Sequence, residues 1–425
     1  MLQRVELGQL RLDAYREIIG DEAVEAILRA AAPLRGLRVL HVNATAFGGG
    51  VAEILGTLVP LMADVGLEAE WRIIEGSDAF FEVTKACHNG LQGMDLPFTA
   101  EMQATWRQYN ALNARWFEGE FDVVVVHDPQ PLGLLSFTEG RGARHWVWRC
   151  HIDTSEPNPA YWDFFKPYIE GYRAVIFTMR EYVGPGVEAS RVHVIPPSID
   201  PLSPKNRPVA FATARQAMVR FGIDQARPVA LQVSRFDPWK DQLGVIDAYR
   251  EAKETEEGLQ LALIGSLASD DPEAGRYLGR VRERAGGDPD IHIYQNLPSE
   301  EVAAFQAGSD VVLQKSLREG FGLTVSETLW KGRPVIGGRA GGIPLQIIDG
   351  ENGFLVTTVA ECADRILYLV RHPRGAELMG RAGREHVRRN FVITRLLADY
   401  LELFGALMQV GEANGREAGA EAPTG

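Results

Sequence analysis

Cysteine is scarce in this chain: Cys87, Cys150 and Cys362 are the only three in 425 residues, and they lie far apart. That excludes a disulfide scaffold and a cysteine-based metal spacing, and it fits a reducing, cytoplasmic compartment. Positive charge is also short. The 44 Lys and Arg are outnumbered by 57 Asp and Glu, for a formal charge of −13. So acidic a chain has no global attraction for nucleic acid or an anionic membrane, and any phosphate it binds must meet local cations. Long apolar runs are missing. The best, 121–126, suits a buried strand and not a membrane span. Residues 1–28 mix Arg, Glu and Asp among apolar residues, which argues against a signal peptide. No P-loop, no Gly-x-Ser-x-Gly elbow and no His-x-x-x-His is found, so a nucleotide triphosphatase loop, a serine hydrolase and a built-in zinc site lose their usual signatures.

What is present reads as a soluble α/β protein. Apolar residues make up 45% of the chain, and its length allows about two to four domains. Helical periodicity over 10–32 precedes a strand at 37–42, the triplet Gly48-Gly49-Gly50, a helix at 51–65 and a strand at 70–74. Strands are expected again at 121–126, 145–152, 174–177 and 192–195. Pro196-Pro197 and the polar stretch 198–208 read as a linker. The alternation then restarts, with strands at 229–233, 261–264, 291–294, 311–314 and 334–336 and helices between them. Such an order predicts two doubly wound parallel sheets. The predicted organisation is an N-terminal Rossmann-like domain over 1–200, a second over 201–385, a helical segment at 386–410 and a disordered tail at 411–425. Ligands bind beyond the carboxyl ends of strands in such sheets, so the residues there are the candidates.

Ser234-Arg235-Phe236-Asp237-Pro238-Trp239-Lys240 follows the first strand of the second domain. Asp237 suits a helix N-cap and Pro238 a first helical position, which puts Lys240 in the first turn. Two cations beside a helix start suit a pyrophosphate, and two solvated surface cations fit the same residues. In Glu319-Gly320-Phe321-Gly322-Leu323-Thr324-Val325-Ser326-Glu327 the glycines let backbone amides approach an anion or a sugar, and carboxylates accept paired bonds from sugar hydroxyls. On its own Glu327 reads as an ordinary helix-surface residue. A glycosidase acid/base pair would need a defined carboxyl separation that sequence does not give. His151-Ile152-Asp153, His127-Asp128 and His88-Asn89 sit at other strand or helix ends, where a lone His is commonly structural.

The two α/β units, the Arg235 and Lys240 pair and the Glu319-x7-Glu327 pattern together resemble the retaining glycosyltransferases of family GT4 over about 37–407. That resemblance implies the GT-B fold, two Rossmann-like domains facing across a cleft, with a last helix crossing back to the first. A narrower likeness lies in the runs at 47–53, 126–131, 148–153 and 233–240 and in the helical 15–36. These are similar to the trehalose glycosyltransferring synthases, which join glucose from a nucleoside-diphosphate glucose to free glucose, reversibly. One departure from the wider family agrees: after Gly341-Gly342-Ile343-Pro344-Leu345 stands Gln346 where many relatives carry Glu.

By resemblance, His151, Arg235, Lys240 and Glu319 are catalytic: the cations hold the donor diphosphate, Glu319 the glucose hydroxyls, and His151 stands beside the sugar. Gly50, Gly322, Leu323 and Thr324 belong with donor binding, and Glu327 with the ribose. Glu75, His88, Asn89, Asp128 and Asp153 are acceptor candidates. The resemblance also implies donors carrying UDP or ADP, glucose and trehalose as partners, a homodimer, and no tightly bound cofactor, with Mg²⁺ at most stimulatory. Another GT4 transferase, with a sucrose, glycogen or lipid acceptor, and a non-catalytic sugar-nucleotide sensor are the competing readings.

Overall fold

A computed structural model describes residues 2–47, 49–265 and 272–419. The chain divides into two compact units: Met1–Pro197 with Ile393–Gly425, and Ser198–Val392. The expected boundary at 200/201 thus falls at 197/198. The expected returning segment at 386–410 starts later. Pro373–Asn390 is one helix of the second unit, and only the helix Ile393–Gly419 belongs with the first. Packing explains the shift. Gly380 lies so close to the main chain at Gly332 that an added Cβ would sit 1.9 Å from its carbonyl oxygen. The expected disorder from 411 is also revised, because that last helix continues to Gly419; residues 420–425 lie outside the described residues.

The first unit holds seven strands: β1 (Gln3–Arg4), β2 (Arg38–Asn43), β3 (Glu68–Ile73), β4 (Phe121–His127), β5 (Ala143–Arg149), β6 (Ala174–Phe177) and β7 (Val192–Val194). Their order is β1-β3-β2-β4-β5-β6-β7, parallel except for β1 against β3. Central strands of such a sheet are covered on both faces and so read as continuous apolar runs. Val123 to Val126 in β4 are fully buried for this reason, and each contributes about 1.5–3 kcal/mol of burial. One face packs Val39, Val123, Val125, Val147 and Ile176 against Leu397, Tyr400 and Phe404 of the last helix. The other packs Val124, Val126 and Trp148 against Phe80, Trp106 and Phe165.

The second unit holds β8 (Val229–Val233), β9 (Gln260–Gly265), β10 (Ile291–Gln295), β11 (Val311–Gln314), β12 (Val335–Gly338) and β13 (Gly353–Val356). Their order is β10-β9-β8-β11-β12-β13, all parallel. In each sheet the order reverses once in the middle, between β2 and β4 and between β8 and β11. Connections leave in opposite directions there and open a crevice at the strand ends. Among the described residues no helix is long and apolar enough to cross a membrane.

Candidate active site

In the second unit, the loop after β8 and the loop after β11 meet at that reversal point. Lys240 Nζ lies 2.7 Å from both carboxylate oxygens of Glu319. The pair is nearly enclosed, with side-chain exposures of 14% and 9%. Gln314 Nε2 and Ser316 Oγ each donate to Glu319 Oε2 at 3.1 Å. Burial alone pushes the Glu319 carboxyl up; the Lys240 charge and these bonds outweigh it and hold the group below its ordinary value. Main-chain stitching fixes the two loops: Leu317 N–H donates to the Trp239 carbonyl at 2.8 Å, and Lys315 pairs with Asp241.

The expected helix start is corrected here. Asp237 does cap, accepting from Trp239 N at 2.8 Å, but Pro238–Lys240 is a single 3-10 turn. Asp241 then takes a left-handed conformation (φ 51°) and caps the true α-helix, Gln242–Lys253, by accepting from Gly244 N. Lys240 therefore sits before the helix and not in its first turn, and this aims it at Glu319. Arg235, on the same loop, is 60% exposed and pairs loosely with Asp237 at 3.5 Å.

Gly322 caps the helix Leu323–Trp330 in a left-handed conformation, φ 81°. A Cβ there would stand 3.2 Å from Glu319 Cγ, so the glycine serves both the turn and the carboxylate. Leu323 and Thr324 are the first two residues of that helix, where amides lack helical partners. Gln346 is fully buried. Its amide donates to the Phe321 and Gly342 carbonyls, at 2.5 and 3.2 Å, while its oxygen accepts from Ser326 Oγ at 2.6 Å. A glutamate could not make the two donations, which gives the neutral residue a physical reason.

Glu327 is not an ordinary surface residue; it is 2% exposed. Lys205 Nζ pairs with its Oε1 at 2.7 Å and Gln306 Nε2 donates to its Oε2 at 3.2 Å. Lys331 donates nearby to Asn206 Oδ1 and to the Glu327 carbonyl, and burial pushes its ammonium down to about 8.

In the first unit, alternation along the strands puts polar residues on the face that packs the last helix, just beyond Val39, Val125 and Val147. His41 Nδ1 lies 3.0 Å from His127 Nε2, and His127 Nδ1 lies 3.0 Å from His151 Nε2. Arg149 is buried next to them, its Nε and Nη1 without a hydrogen-bond partner among the described residues. Asp128, at φ 62°, accepts at Oδ1 from the His151 amide at 2.8 Å. Burial pushes its carboxyl up to about 7, against the His151 amide and the Arg149 charge, which favour the ionised form. His41 and His127 were not among the predicted site residues. Their signal was a histidine at or near the carboxyl end of each of two neighbouring apolar strands.

The other candidates are spread out. Gly50 is the first residue of the helix Gly50–Asp64, after Gly49 at φ 119°; Gly48 lies outside the described residues. Glu75 is exposed beyond β3, its main chain exchanging two 2.8 Å bonds with Asn113. His88 and Asn89 lie in the last turn of the helix Asp78–Leu91. Asp153 Oδ1 already accepts from the amide and the hydroxyl of Ser155, at 2.9 and 2.6 Å. The structure thus joins Asp128 with His151 and Lys240 with Glu319. Among the described residues no cluster of three or more His, Cys, Asp or Glu could hold a metal ion; the three histidines form a line.

Two parallel doubly wound sheets, each with polar groups at its reversal point, define the GT-B class of glycosyltransferases. The structure of the Escherichia coli protein described as trehalose-6-phosphate bound with UDP-2-fluoro glucose agrees, with a TM-score of 0.70 at 13% identity over 86% of this chain and 98% of that one. Residues 214–386 match the family described as glycosyl transferases group 1, and residues 41–184 match the N-terminal domain of trehalose synthase. A trehalose synthase of Rubrobacter xylanophilus is 52% identical over 96% of this chain and 100% of its own length. The chain belongs to the trehalose synthase family and is a glycosyltransferase of trehalose metabolism. A trehalose phosphorylase of Pleurotus pulmonarius is 30% identical over 81% of this chain and 54% of its own length.

Proposed function

We propose that this chain is a retaining glucosyltransferase that moves glucose from a nucleoside-diphosphate glucose, with UDP or ADP, to free glucose, forming α,α-trehalose reversibly. The observation that carries this reading is the enclosed Lys240–Glu319 pair, with the exposed Arg235 on the loop that carries Lys240. Breaking the sugar–phosphate bond leaves positive charge on the anomeric carbon and negative charge on the diphosphate. Arg235 and Lys240 stabilise the second, and Glu319, kept ionised by Lys240, holds the glucose hydroxyls. Gly50, Leu323 and Thr324 supply amides to the phosphates or the sugar, and Gly322 gives them room. Glu327 receives the ribose hydroxyls; two of its roughly four acceptor positions are taken by Lys205 and Gln306.

The acceptor hydroxyl attacks from the face the phosphate leaves, so configuration is retained. Its oxygen bonds to the anomeric carbon as the carbon–oxygen bond to phosphate breaks. The departing phosphate takes the hydroxyl proton, and no side chain need act as base. His151 steadies the sugar. Asp128, His88, Asn89, Glu75 and Asp153 are the groups proposed for the acceptor glucose. Mg²⁺ is proposed to assist the diphosphate without tight binding.

Product analysis with labelled glucose and a panel of UDP-, ADP- and GDP-glucose tests the reading. The expected result is a non-reducing α,α-disaccharide, with nucleotide released only when glucose is present. Nucleotide-sugar binding without release would overturn it. So would trehalose cleavage that needs inorganic phosphate, the phosphorylase outcome.

A further inference from the structure

We propose that His41 and His127 are positioning residues that hold His151 in the tautomer with a bare Nδ1, which makes His151 a hydrogen-bond acceptor for a sugar hydroxyl. This rests on the reading above only in placing His151 beside the sugar. The tautomer itself follows from the line of three rings.

Each imidazole–imidazole contact, at 3.0 Å, is a hydrogen bond and holds one proton. Three neutral rings carry three protons. Two sit in the links, and one remains for the two free ends, His41 Nε2 and His151 Nδ1. Only two arrangements fill both links. In the first, every ring is protonated on Nδ1, so His151 shows an N–H at its free end and His41 Nε2 is bare. In the second, every ring is protonated on Nε2: His151 donates to His127, His127 donates to His41, and His151 Nδ1 is bare. The hydrogen bond made by one ring nitrogen decides what the other carries, so the choice at His41 is felt at His151.

Two effects select the second arrangement. Neutral histidine side chains intrinsically favour the proton on Nε2, and this arrangement has it there in all three rings. Arg149 is the second. It ends β5 directly across from His127 in register, and its charge bears on His127 and His151. That charge favours the protons displaced away from His151 and toward His41. The far end does not decide between them. Among the described residues His41 Nε2 has no polar partner, so an unmade bond there costs about 1–3 kcal/mol in either case. The Tyr400 ring packs against the His41 ring, with centroids 5.7 Å apart and planes inclined by 71°. The line stays neutral near pH 7, since burial pushes His41 down to about 3 and the other two well below their ordinary value. A neutral ring with a bare outer nitrogen accepts from an O–H and has no proton to give. Burial also holds its basicity well below the ordinary value, so it is a weak base, in keeping with a mechanism in which phosphate takes the acceptor proton.

The test is a ¹H–¹⁵N spectrum of the full chain labelled with ¹⁵N-histidine, with single-histidine substitutions for assignment. The expected spectrum has His151 protonated on Nε2 and bare on Nδ1, and His127 protonated on Nε2. A proton on His151 Nδ1, or a charged His151 at pH 7, overturns the proposal. Turnover gives a second readout. His127→Phe removes the acceptor for His151 Nε2–H, and kcat is expected to fall about 10- to 100-fold with the KM for glucose held within about twofold. His127→Asn keeps an oxygen near the lost Nδ1 and is expected to recover part of kcat. Equal losses in the two variants, or unchanged kcat in the phenylalanine variant, refute the positioning role. Should the wild-type chain transfer no glucose at all, the proposed function fails, while the spectrum still decides the tautomer.

Discussion

Removing Lys240 or Glu319 singly should cost more stability than removing both. The two groups sit 2.7 Å apart with 14% and 9% exposure. At an effective dielectric of about 20 their attraction is about 6 kcal/mol, much of it offset by taking both charges out of water. Lys240→Met leaves a buried carboxylate without its paired charge, a loss of about 3–5 kcal/mol. Glu319→Gln leaves a buried ammonium at similar cost. The double variant has no uncompensated charge and should lie within about 2 kcal/mol of wild type, far less than the sum of the singles. Because the pair holds Glu319 below its ordinary value, its stabilisation is present above the unfolded carboxylate range. It is lost as pH falls through the folded value. Urea unfolding followed by tryptophan fluorescence and circular dichroism reads the stabilities. Turnover of the donor reads function, and there the double variant should stay inactive despite its recovered stability. Single variants within about 0.5 kcal/mol of wild type would show that the pair is solvated and the reasoning wrong.

Asp128, with its carboxyl raised from 3.8 to about 7, makes stability fall as pH rises between those values and adds no slope above them. Asp128→Asn should flatten that fall, by at most about 4 kcal/mol, in melting temperatures taken from pH 4 to 8; an unchanged slope would refute it. Gly322→Ala places a side chain at φ 81° and against Glu319; a loss of about 1–2 kcal/mol is expected together with weaker donor use, and equal stability would count against the strain. Gln346→Glu forfeits the donations to Phe321 and Gly342 and buries a charge. A loss of about 3 kcal/mol should appear in urea midpoints, and a neutral result would remove the structural reason for the amide.

Strands rich in valine, isoleucine and leucine were legible because burial on both faces leaves a continuous apolar signature, as in β4, β8, β9 and β11. β1 has two residues, Gln3 and Arg4, both exposed, and carries no such mark. The helix Ala100–Arg115 is polar on most positions, and its few buried residues, Trp106, Asn110 and Asn113, include two asparagines. Around the site, Arg235, Lys240 and Glu319 stood out by type and position. What local sequence could not express was pairing across distance. Lys205 under Glu327, Asp241 replacing Asp237 as the helix cap, and the histidine line all depend on which strand ends become neighbours. Pro238 is a strong helix-start signal that the left-handed Asp241 overrides.

The first unit is discontinuous in sequence: its core waits for Ile393, Leu397, Tyr400 and Phe404, while the second unit is complete by Val392. On the ribosome, the half begun earliest therefore closes last. Until the final helix emerges, the nascent chain exposes the apolar faces of Val39, Val123 and Val147, and a truncation that removes Ile393 to Phe404 takes part of the first unit's core with it.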